Sequence, residues 1–245
     1  MKRSEYYSTG AKNLGLLSLL HFEIQRRRSH SAPFKLTSKM LAFPVQARPR
    51  TSDIGVFAQI FFFNEYRCLA GLRNPELILD LGANVGYSSA YFLSRFKDCS
   101  VIAVEPDPAN FVELQKNLAP FGGRVKTVQA AVWPHSGRMD LEHPGEGEEW
   151  GVRVRPSEKG AVRAVSIPEL LAFAPQGRIS LLKVDIEGSE IDLFRSDYED
   201  WLHRVDNIVI EIHGEEAYEI FHKAIAQSNF LISTCDELTV CLSQL

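Results

Sequence analysis

The order of strand-like and helix-like segments from about residue 77 onward is the sequence feature that most constrains the fold. Short apolar runs alternate with segments that have the spacing of amphipathic helices, and two further β-like runs close the chain. The apolar runs that we predict as strands are 76–82, 100–106, 125–133, 180–188 and 206–214. This order predicts a mostly parallel sheet with helices on both faces. In such sheets ligands bind beyond the carboxyl ends of the strands, where the strand order reverses.

Acidic and basic residues are distributed unevenly along the chain. Residues 1–50 hold 10 Lys and Arg against 2 acidic residues (+8), whereas residues 51–245 hold 17 against 29 (−12). An acidic body is unsuited to general nucleic-acid binding. We expect residues 1–50 to form a partly ordered basic arm, which either contacts a phosphate or an acidic surface or is a solvated tail. Residues 51–245 are expected to form a single domain with an inserted β segment at about 136–166.

The N-terminal sequence predicts no membrane span. Its longest apolar run, residues 14–20, is far shorter than the roughly 20 residues that a helix needs to cross a bilayer. The arginines at 26–28 follow without a small-residue cleavage pattern, which argues against a signal peptide. The four cysteines have no CxxC spacing, so neither a zinc site nor a disulfide framework is indicated and a reducing, cytoplasmic setting is expected. The sequence does not predict an oligomeric state.

Two segments lie outside the regular strand and helix pattern. Residues 54–66 have near-helical apolar spacing and are predicted as a helix, with a turn to strand near Phe61 as the alternative. The glycine-rich, acidic loop at 145–149 is predicted as a solvated turn, with a substrate flap as the alternative.

The stretch LDLGANVGYSS (79–89) joins the first predicted strand to a helix. Gly82 allows a sharp backbone turn close to a ligand, and Gly86 opens a helix whose free N–H groups attract acceptors. An ordinary strand-to-helix turn would look similar. Glu105 ends the second strand and is therefore placed to accept both hydroxyls of a ribose. Together these residues predict a ribose-bearing cofactor.

The spacing and charge of this turn distinguish between two such cofactors. A dinucleotide site has the pattern G-x-G-x-x-G, whereas here Ala-Asn-Val separates Gly82 from Gly86. Asp80 would repel a pyrophosphate but suits the ammonium group of an amino acid. We therefore favour S-adenosylmethionine, with an NAD-type oxidoreductase and a non-catalytic binding module on the same fold as alternatives.

A second motif, KVDIEGSE (183–190), follows the fourth strand. The two carboxylates of Asp185 and Glu187 suit a hydroxyl-rich substrate or a cation rather than a flat base. At this point the chain resembles the FkbM-type S-adenosylmethionine-dependent methyltransferases. The resemblance covers residues from about 52 to 214 and rests on SDIGVFAQIF, LDLGANVGYSS, VIAVEPDPANFVELQKN, AAVW, KVDIEGSE and IVIEIH.

The resemblance implies a class I methyltransferase fold, which is an α/β, Rossmann-like, doubly wound fold. Its seven-stranded sheet is mostly parallel and has an antiparallel C-terminal hairpin. The resemblance also implies O-methylation of a small-molecule acceptor, typically a hydroxyl of a sugar or natural product. The implied cofactor-binding residues are Asp80, Gly82, Asn84, Gly86, Ser88, Glu105, Pro106, Asp107, Gln129, Ala131 and Asp185.

Methyl transfer to a hydroxyl requires alignment of the reactants and removal of a proton. His213, just beyond the fifth strand, is predicted as the general base, with a loop-capping histidine as the alternative. Asp185 is the competing base. Glu187 could orient a sugar hydroxyl, or could simply be a helix N-terminal acid. A Mg²⁺ ion shared by Asp185 and Glu211 is a less favoured expectation.

Overall fold

The computed structural model describes residues 2–28, 31–143, 145, 151–174 and 177–244. Of the loop at 145–149, only Gly145 falls within the described residues. The choice between a solvated turn and a substrate flap therefore stays a prediction.

The N-terminal part of the chain forms small elements that precede the main sheet. They are α1 (Arg3–Leu14), α2 (Leu16–Arg27), β1 (Phe34–Leu36), β2 (Val45–Ala47) and α3 (Asp53–Phe57). Helix α3 continues as a π-helical turn over Ala58–Phe62, and a 3₁₀ segment follows at Glu65–Gly71. The helix predicted at 54–66 is thus a shorter α-helix that changes to π-helical hydrogen bonding at Ala58. The segment does not become a strand near Phe61.

The rest of the chain alternates strands and helices. The elements are β3 (Leu77–Leu81), α4 (Tyr87–Arg95), β4 (Ser100–Glu105), α5 (Pro108–Leu118), β5 (Val125–Gln129), β6 (Ala131–Val132), β7 (Gly137–Glu142), β8 (Arg153–Pro156), β9 (Val162–Val165), α6 (Ile167–Leu171), β10 (Leu181–Val184), α7 (Glu190–Arg195), α8 (Glu199–Leu202), β11 (Asn207–Glu211), α9 (Glu215–Ile225), β12 (Phe230–Cys235) and β13 (Leu238–Ser243).

Seven of these strands form the main sheet in the order β12-β13-β11-β10-β3-β4-β5. Strands β10, β11, β3, β4 and β5 pair in parallel, and β13 runs antiparallel to both of its neighbours, β11 and β12. This topology confirms the predicted class I, Rossmann-like fold with its C-terminal hairpin. The chain leaves β3 toward β5 on one side and returns to β10 on the other, so the strand order reverses between β3 and β10. A ligand cleft is expected there.

A second sheet contains four strands in the order β6-β9-β7-β8. It is built from residues 131–165, where β7 pairs antiparallel with both β8 and β9. Its small core includes Met139, Val162 and Ala164. Because β6 follows β5 after one residue, this sheet extends from the carboxyl end of β5, beside the expected cleft.

The side chains of the central strands alternate between two cores, as the two-residue period of a strand requires. Leu77, Leu79 and Leu81 of β3 lie in the core formed with α6–α9. Ile78 lies in the opposite core, with α4, α5 and the N-terminal elements. Every residue of β3 is buried.

Helices α1 and α2 and strands β1 and β2 each contribute buried side chains to the core that contains Ile78. Phe22 of α2 is 2% exposed, and its ring is 5.7 Å from that of Phe57 and 5.8 Å from that of Phe62. The side-chain amide of Asn13 donates to the carbonyl of Phe62 at 2.8 Å. Within the described residues, no helix is both long and apolar enough to cross a membrane. The boundary that separates an arm from a domain at residue 50 stays a prediction.

Replacing Phe22 with alanine tests whether this packing contributes to stability. We expect Phe22→Ala to lower the free energy of unfolding by about 3 kcal/mol, because it leaves a cavity among buried rings. Leu17→Ala on the same helix is the matched control, because Leu17 is 85% exposed. Urea denaturation of both variants measures the difference. Equal stability of the two variants would mean that α2 is not packed on the core in solution.

Candidate active site

A cavity of about 840 Å³ opens at the carboxyl ends of β3, β4, β10 and β11. It brings together residues that are far apart in the sequence. The predicted site residues that line it are Gly82, Asn84, Ser88, Glu105, Pro106, Ala131, Asp185, Glu187, Glu211 and His213. The predicted residues that are not among its described lining are Asp80, Gly86, Asp107 and Gln129.

The glycine turn after β3 is required by close packing. Gly82 has a φ of +74°, and a Cβ atom on it would overlap the carbonyl oxygen of Asp185. Gly86 has a φ of +84°, and a Cβ atom there would lie 3.2 Å from Leu118 and 3.3 Å from Leu114 of α5. Gly82 thus lets the ends of β3 and β10 approach each other, whereas Gly86 faces α5 rather than the cavity.

A buried lysine lies beneath the turn. Lys183 is the register partner of Asp80 on the neighbouring strand, and its Nζ is 3.3 Å from Asp80 Oδ1 and 3.6 Å from Asp185 Oδ2. It also donates to the carbonyl of Gly82 at 2.7 Å. Burial alone would lower the pKa of Lys183, but Asp80 and Asp185 outweigh it and hold the pKa above its ordinary value. Lys183 was not among the residues predicted from the sequence, although a lysine inside an otherwise apolar strand was a visible signal.

Asp80 is fully buried and already has partners. Its Oδ2 accepts hydrogen bonds from the hydroxyls of Ser88 at 2.7 Å and Ser89 at 2.6 Å, while Oδ1 faces Lys183. Lys183 therefore occupies the place beside Asp80 that the sequence analysis gave to a ligand ammonium group. Asp80 fixes the first turn of α4 and orients Ser88, which lines the cavity.

Glu105 ends β4 at one side of the cavity and is 4% exposed. Its two carboxylate oxygens accept from the backbone N–H groups of Asn84 at 2.8 Å and Asp107 at 2.9 Å. Burial raises the pKa of Glu105 to about 7, although these N–H donors oppose the shift. Asn84 has a left-handed φ of 48°, and its Oδ1 atom has no hydrogen-bond partner among the described residues.

Asp107 and Gln129 were also predicted to bind the cofactor, but they are not among the described residues that line the cavity. Asp107 caps α5, where its Oδ1 accepts from the backbone N–H of Asn110 at 2.8 Å. Gln129 is exposed at the end of β5, as the register partner of Glu105. Ala131 and Val132 of β6 line the cavity on that side, together with Pro106.

His213 lies at the other side of the cavity, surrounded by carboxylates. Its Nδ1 is 3.1 Å from Glu190 Oε1, and its Nε2 is 3.6 Å from Glu187 Oε2 and 3.7 Å from Glu211 Oε1. The hydrogen bond to the fully buried Glu190, helped by the other carboxylates, raises the pKa of His213 to about 9. The imidazole is therefore a cation at neutral pH. Glu190 was not among the predicted site residues either, although it stands in the same KVDIEGSE motif as Asp185 and Glu187.

Three glutamates near Asp185 titrate close to neutral pH. Burial, followed by the charge of Asp185, raises the pKa values of Glu65, Glu187 and Glu211 to about 7. His213 opposes this shift for Glu187 and Glu211. Glu187 also has a left-handed φ of 53°, which is uncommon outside glycine and is often found at functional sites. Glu65 comes from the 3₁₀ segment and was not among the predicted residues.

A metal-ligand set can be read from this cluster. Among the described residues, Asp185, Glu187 and His213 each offer one ligand atom within 4.8 Å of the others. Glu211 is not part of that set, so the set differs from the expected pair of Asp185 and Glu211. Mg²⁺ binding by that pair stays a prediction.

The strand order, with a cavity at the reversal between β3 and β10, defines the class of protein as one with the class I methyltransferase fold. Residues 80–239, more than half of the chain, match the methyltransferase FkbM domain, and the chain belongs to this family. The resemblance noted from the sequence is thereby confirmed. Methyl transfer is the activity that this membership supports.

Relatives of the chain include proteins that are named as methyltransferases. Methyltransferase sdnD of Sordaria araneosa is 29% identical over 191 residues, which cover 64% of this chain and 73% of the relative. The 2-O-methyltransferase NoeI of Sinorhizobium fredii is 24% identical over 217 residues, which cover 80% of this chain and 85% of the relative. The hexuronic acid methyltransferase AglP of Haloferax volcanii is 23% identical over 142 residues, which cover 58% of each chain.

The raised pKa values predict how the stability of the ligand-free protein depends on pH. The folded pKa values of Glu65, Glu105, Glu187 and Glu211 exceed 4.5, and that of His213 exceeds 6.5, so the folded state binds more protons than the unfolded state. Stability is then lost as pH rises through these values. We expect the Tm to fall as pH rises from about 5 to about 9.

Differential scanning calorimetry across this range measures the effect. The double variant Glu187→Gln/Glu211→Gln should flatten the curve below about pH 7, because glutamine keeps the neutral form at every pH. A Tm that stays constant or rises over the range would contradict the electrostatics described for the cavity.

Proposed function

We propose that the protein is an S-adenosylmethionine-dependent O-methyltransferase that acts on a hydroxyl group of a small molecule, such as a sugar or a natural product. One observation carries the proposal. A single cavity has Glu105 and Asn84 at one side and a cluster of carboxylates around His213 at the other. The first side suits a nucleoside with an amino-acid tail, and the second suits a hydroxylated acceptor.

The cofactor side fits the proposed donor. Glu105 presents a buried carboxylate that can accept hydrogen bonds from ribose hydroxyls. Asn84 Oδ1 is a buried acceptor with no partner among the described residues, which suits the ammonium group of the methionine end. Pro106, Ala131 and Val132 give an apolar wall for a base ring. Gly82 and Asp185 would flank the methionine end, and Asp80 would act through Ser88 and Lys183.

The acceptor side can position a hydroxyl and receive its proton. When bound, the cofactor supplies an electrophilic methyl group. The chain must then align the acceptor oxygen, exclude water and remove the hydroxyl proton. A carboxylate with a pKa near 7 is well matched to that last step at neutral pH, and Glu187 is our choice for it.

His213 has a positioning role in this scheme. Because Glu190 keeps the imidazole protonated, His213 is a poor proton acceptor at neutral pH. Its Nε2–H instead points to a region between Glu187 and Glu211, where its charge can orient either carboxylate. Asp185, whose Oδ2 is 3.6 Å from Lys183 Nζ, remains the competing base.

The class of acceptor is supported by two different arguments. Carboxylate oxygens accept hydrogen bonds from hydroxyl groups, and Glu65, Asp185, Glu187 and Glu211 all line the cavity. Among the relatives, one is named a 2-O-methyltransferase and one a hexuronic acid methyltransferase.

Family membership favours a methyl donor over the nicotinamide alternative. The reducing, cytoplasmic setting expected from the cysteine spacing in the sequence remains part of the proposal.

Calorimetric titration with S-adenosylmethionine and S-adenosylhomocysteine tests the cofactor. We expect both to bind, and Glu105→Gln to weaken binding on the order of tenfold or more, because a charged acceptor of the ribose hydroxyls is lost. Glu76→Gln is the matched control, because Glu76 is exposed and precedes the N-terminal end of β3, the end that lies away from the cavity. Affinity for NAD without affinity for either adenosyl compound would reject the proposal. Binding of S-adenosylmethionine without any methyl transfer to a panel of glycosides would favour a non-catalytic module.

The pH dependence of methyl transfer identifies the base. With Glu187 as base, kcat/KM should rise with pH and level off above about 7, because only the ionised carboxylate accepts the proton. Glu187→Gln should lower kcat/KM on the order of a hundredfold. Glu142→Gln is the control, since Glu142 is an exposed carboxylate on β7. A rise that continues to about pH 9, together with full activity of Glu187→Gln, would instead assign the proton transfer to His213.

A further inference from the structure

Helix α2 presents leucines to solvent on the side that faces away from the core. Leu16 is 76% exposed, Leu17 85%, Leu20 60% and Ile24 42%. Their spacing places all four within about 100° of the helix circumference, given 100° per residue. We call these four residues the α2 apolar patch. Single exposed leucines are common on protein surfaces, but a contiguous group on one helix face indicates an interaction surface.

Cationic residues lie at both ends of the α2 apolar patch. Lys12 is exposed in the last turn of α1, four residues before Leu16. Lys39 is also exposed, and its backbone N–H donates to the carbonyl of Leu14, the last residue of α1. Arg27 and Arg28 are exposed at the other end of α2. Glu23 is the acidic residue of this helix; it is 7% exposed and is paired with Arg26 and Arg27.

We propose that α2 docks on an anionic lipid bilayer, with the α2 apolar patch inserted between the headgroups and the cations in contact with lipid phosphates and carboxylates. A short helix with leucines on one face and Lys or Arg around them is the physical description of an interfacial helix. The buried face of α2, with Leu19 and Phe22, keeps it attached to the protein while the opposite face enters the membrane surface.

The charge distribution favours a lipid surface over a second copy of the chain. Residues 1–50 carry +8 and residues 51–245 carry −12. Two copies that met through their α2 patches would bring two +8 regions together, and these regions would repel each other. An anionic bilayer attracts the basic region, and its repulsion of the acidic body orients the protein with α2 toward the membrane.

Vesicle flotation with the full chain tests this proposal. We expect the protein to float with vesicles made of equal parts phosphatidylcholine and phosphatidylserine, less so at high salt, and not with phosphatidylcholine alone. The triple variant Leu16→Ser/Leu17→Ser/Leu20→Ser should bind at least about tenfold more weakly, because the inserted apolar groups are lost. The matched control is Leu231→Ser/Ile232→Ser on β12, at side chains that are 59% and 43% exposed.

A second readout reports insertion directly. Tryptophan placed by Leu17→Trp should shift its emission to shorter wavelength when phosphatidylserine vesicles are added, after the wild-type signal is subtracted. The serine variants should keep the wild-type Tm and the wild-type affinity for S-adenosylhomocysteine. Equal flotation of the triple variant and the wild type would overturn the proposal. The proposal would also be overturned if the wild type never floats with vesicles but forms a dimer that the triple variant does not form.

Discussion

The buried ion pair between Lys183 and Asp80 is the interaction on which the rest of the site depends. It joins neighbouring strands at the point where the strand order reverses, and Lys183 also binds the carbonyls of Leu81 and Gly82. Removing one partner of such a pair leaves an uncompensated buried charge, which is strongly destabilising. The pair therefore fixes the turn after β3, the start of α4 through Ser88 and Ser89, and the position of Asp185.

The electrostatics of the cavity follow from this arrangement. Lys183 is one cation beside two carboxylates, Asp80 and Asp185, so it compensates only part of their charge. Glu65, Glu187 and Glu211 add further carboxylates to the lining of the cavity. Burial, followed by the charge of Asp185, raises the pKa values of these three carboxylates to about 7. A cationic donor and a hydroxylated acceptor both suit such walls, because each supplies positive charge or hydrogen-bond donors to the carboxylates. The protonated His213 already supplies part of that compensation.

The alternation of segments was enough to predict the sheet, and the ends of its strands were enough to predict that Glu105, Asp185 and His213 share one cavity. The sheet and the shared cavity can both be predicted because local sequence patterns indicate where strands begin and end. The partners of these residues could not be predicted in the same way. That Lys183 faces Asp80 depends on the register between strands about a hundred residues apart. The roles of Glu65 and Glu190 depend on how a 3₁₀ segment and the start of α7 pack. Nor did composition reveal that α2 buries one apolar face and exposes another.

The measurement that tests the account most directly is a crystal structure of the protein with S-adenosylhomocysteine. We expect both ribose hydroxyls to lie within hydrogen-bond distance of Glu105 and the amino-acid end to lie beside Asn84. We expect the sulfur to face the cluster of Glu187 and His213. A ligand bound with its ribose away from Glu105, or outside the cavity at the reversal between β3 and β10, would contradict it.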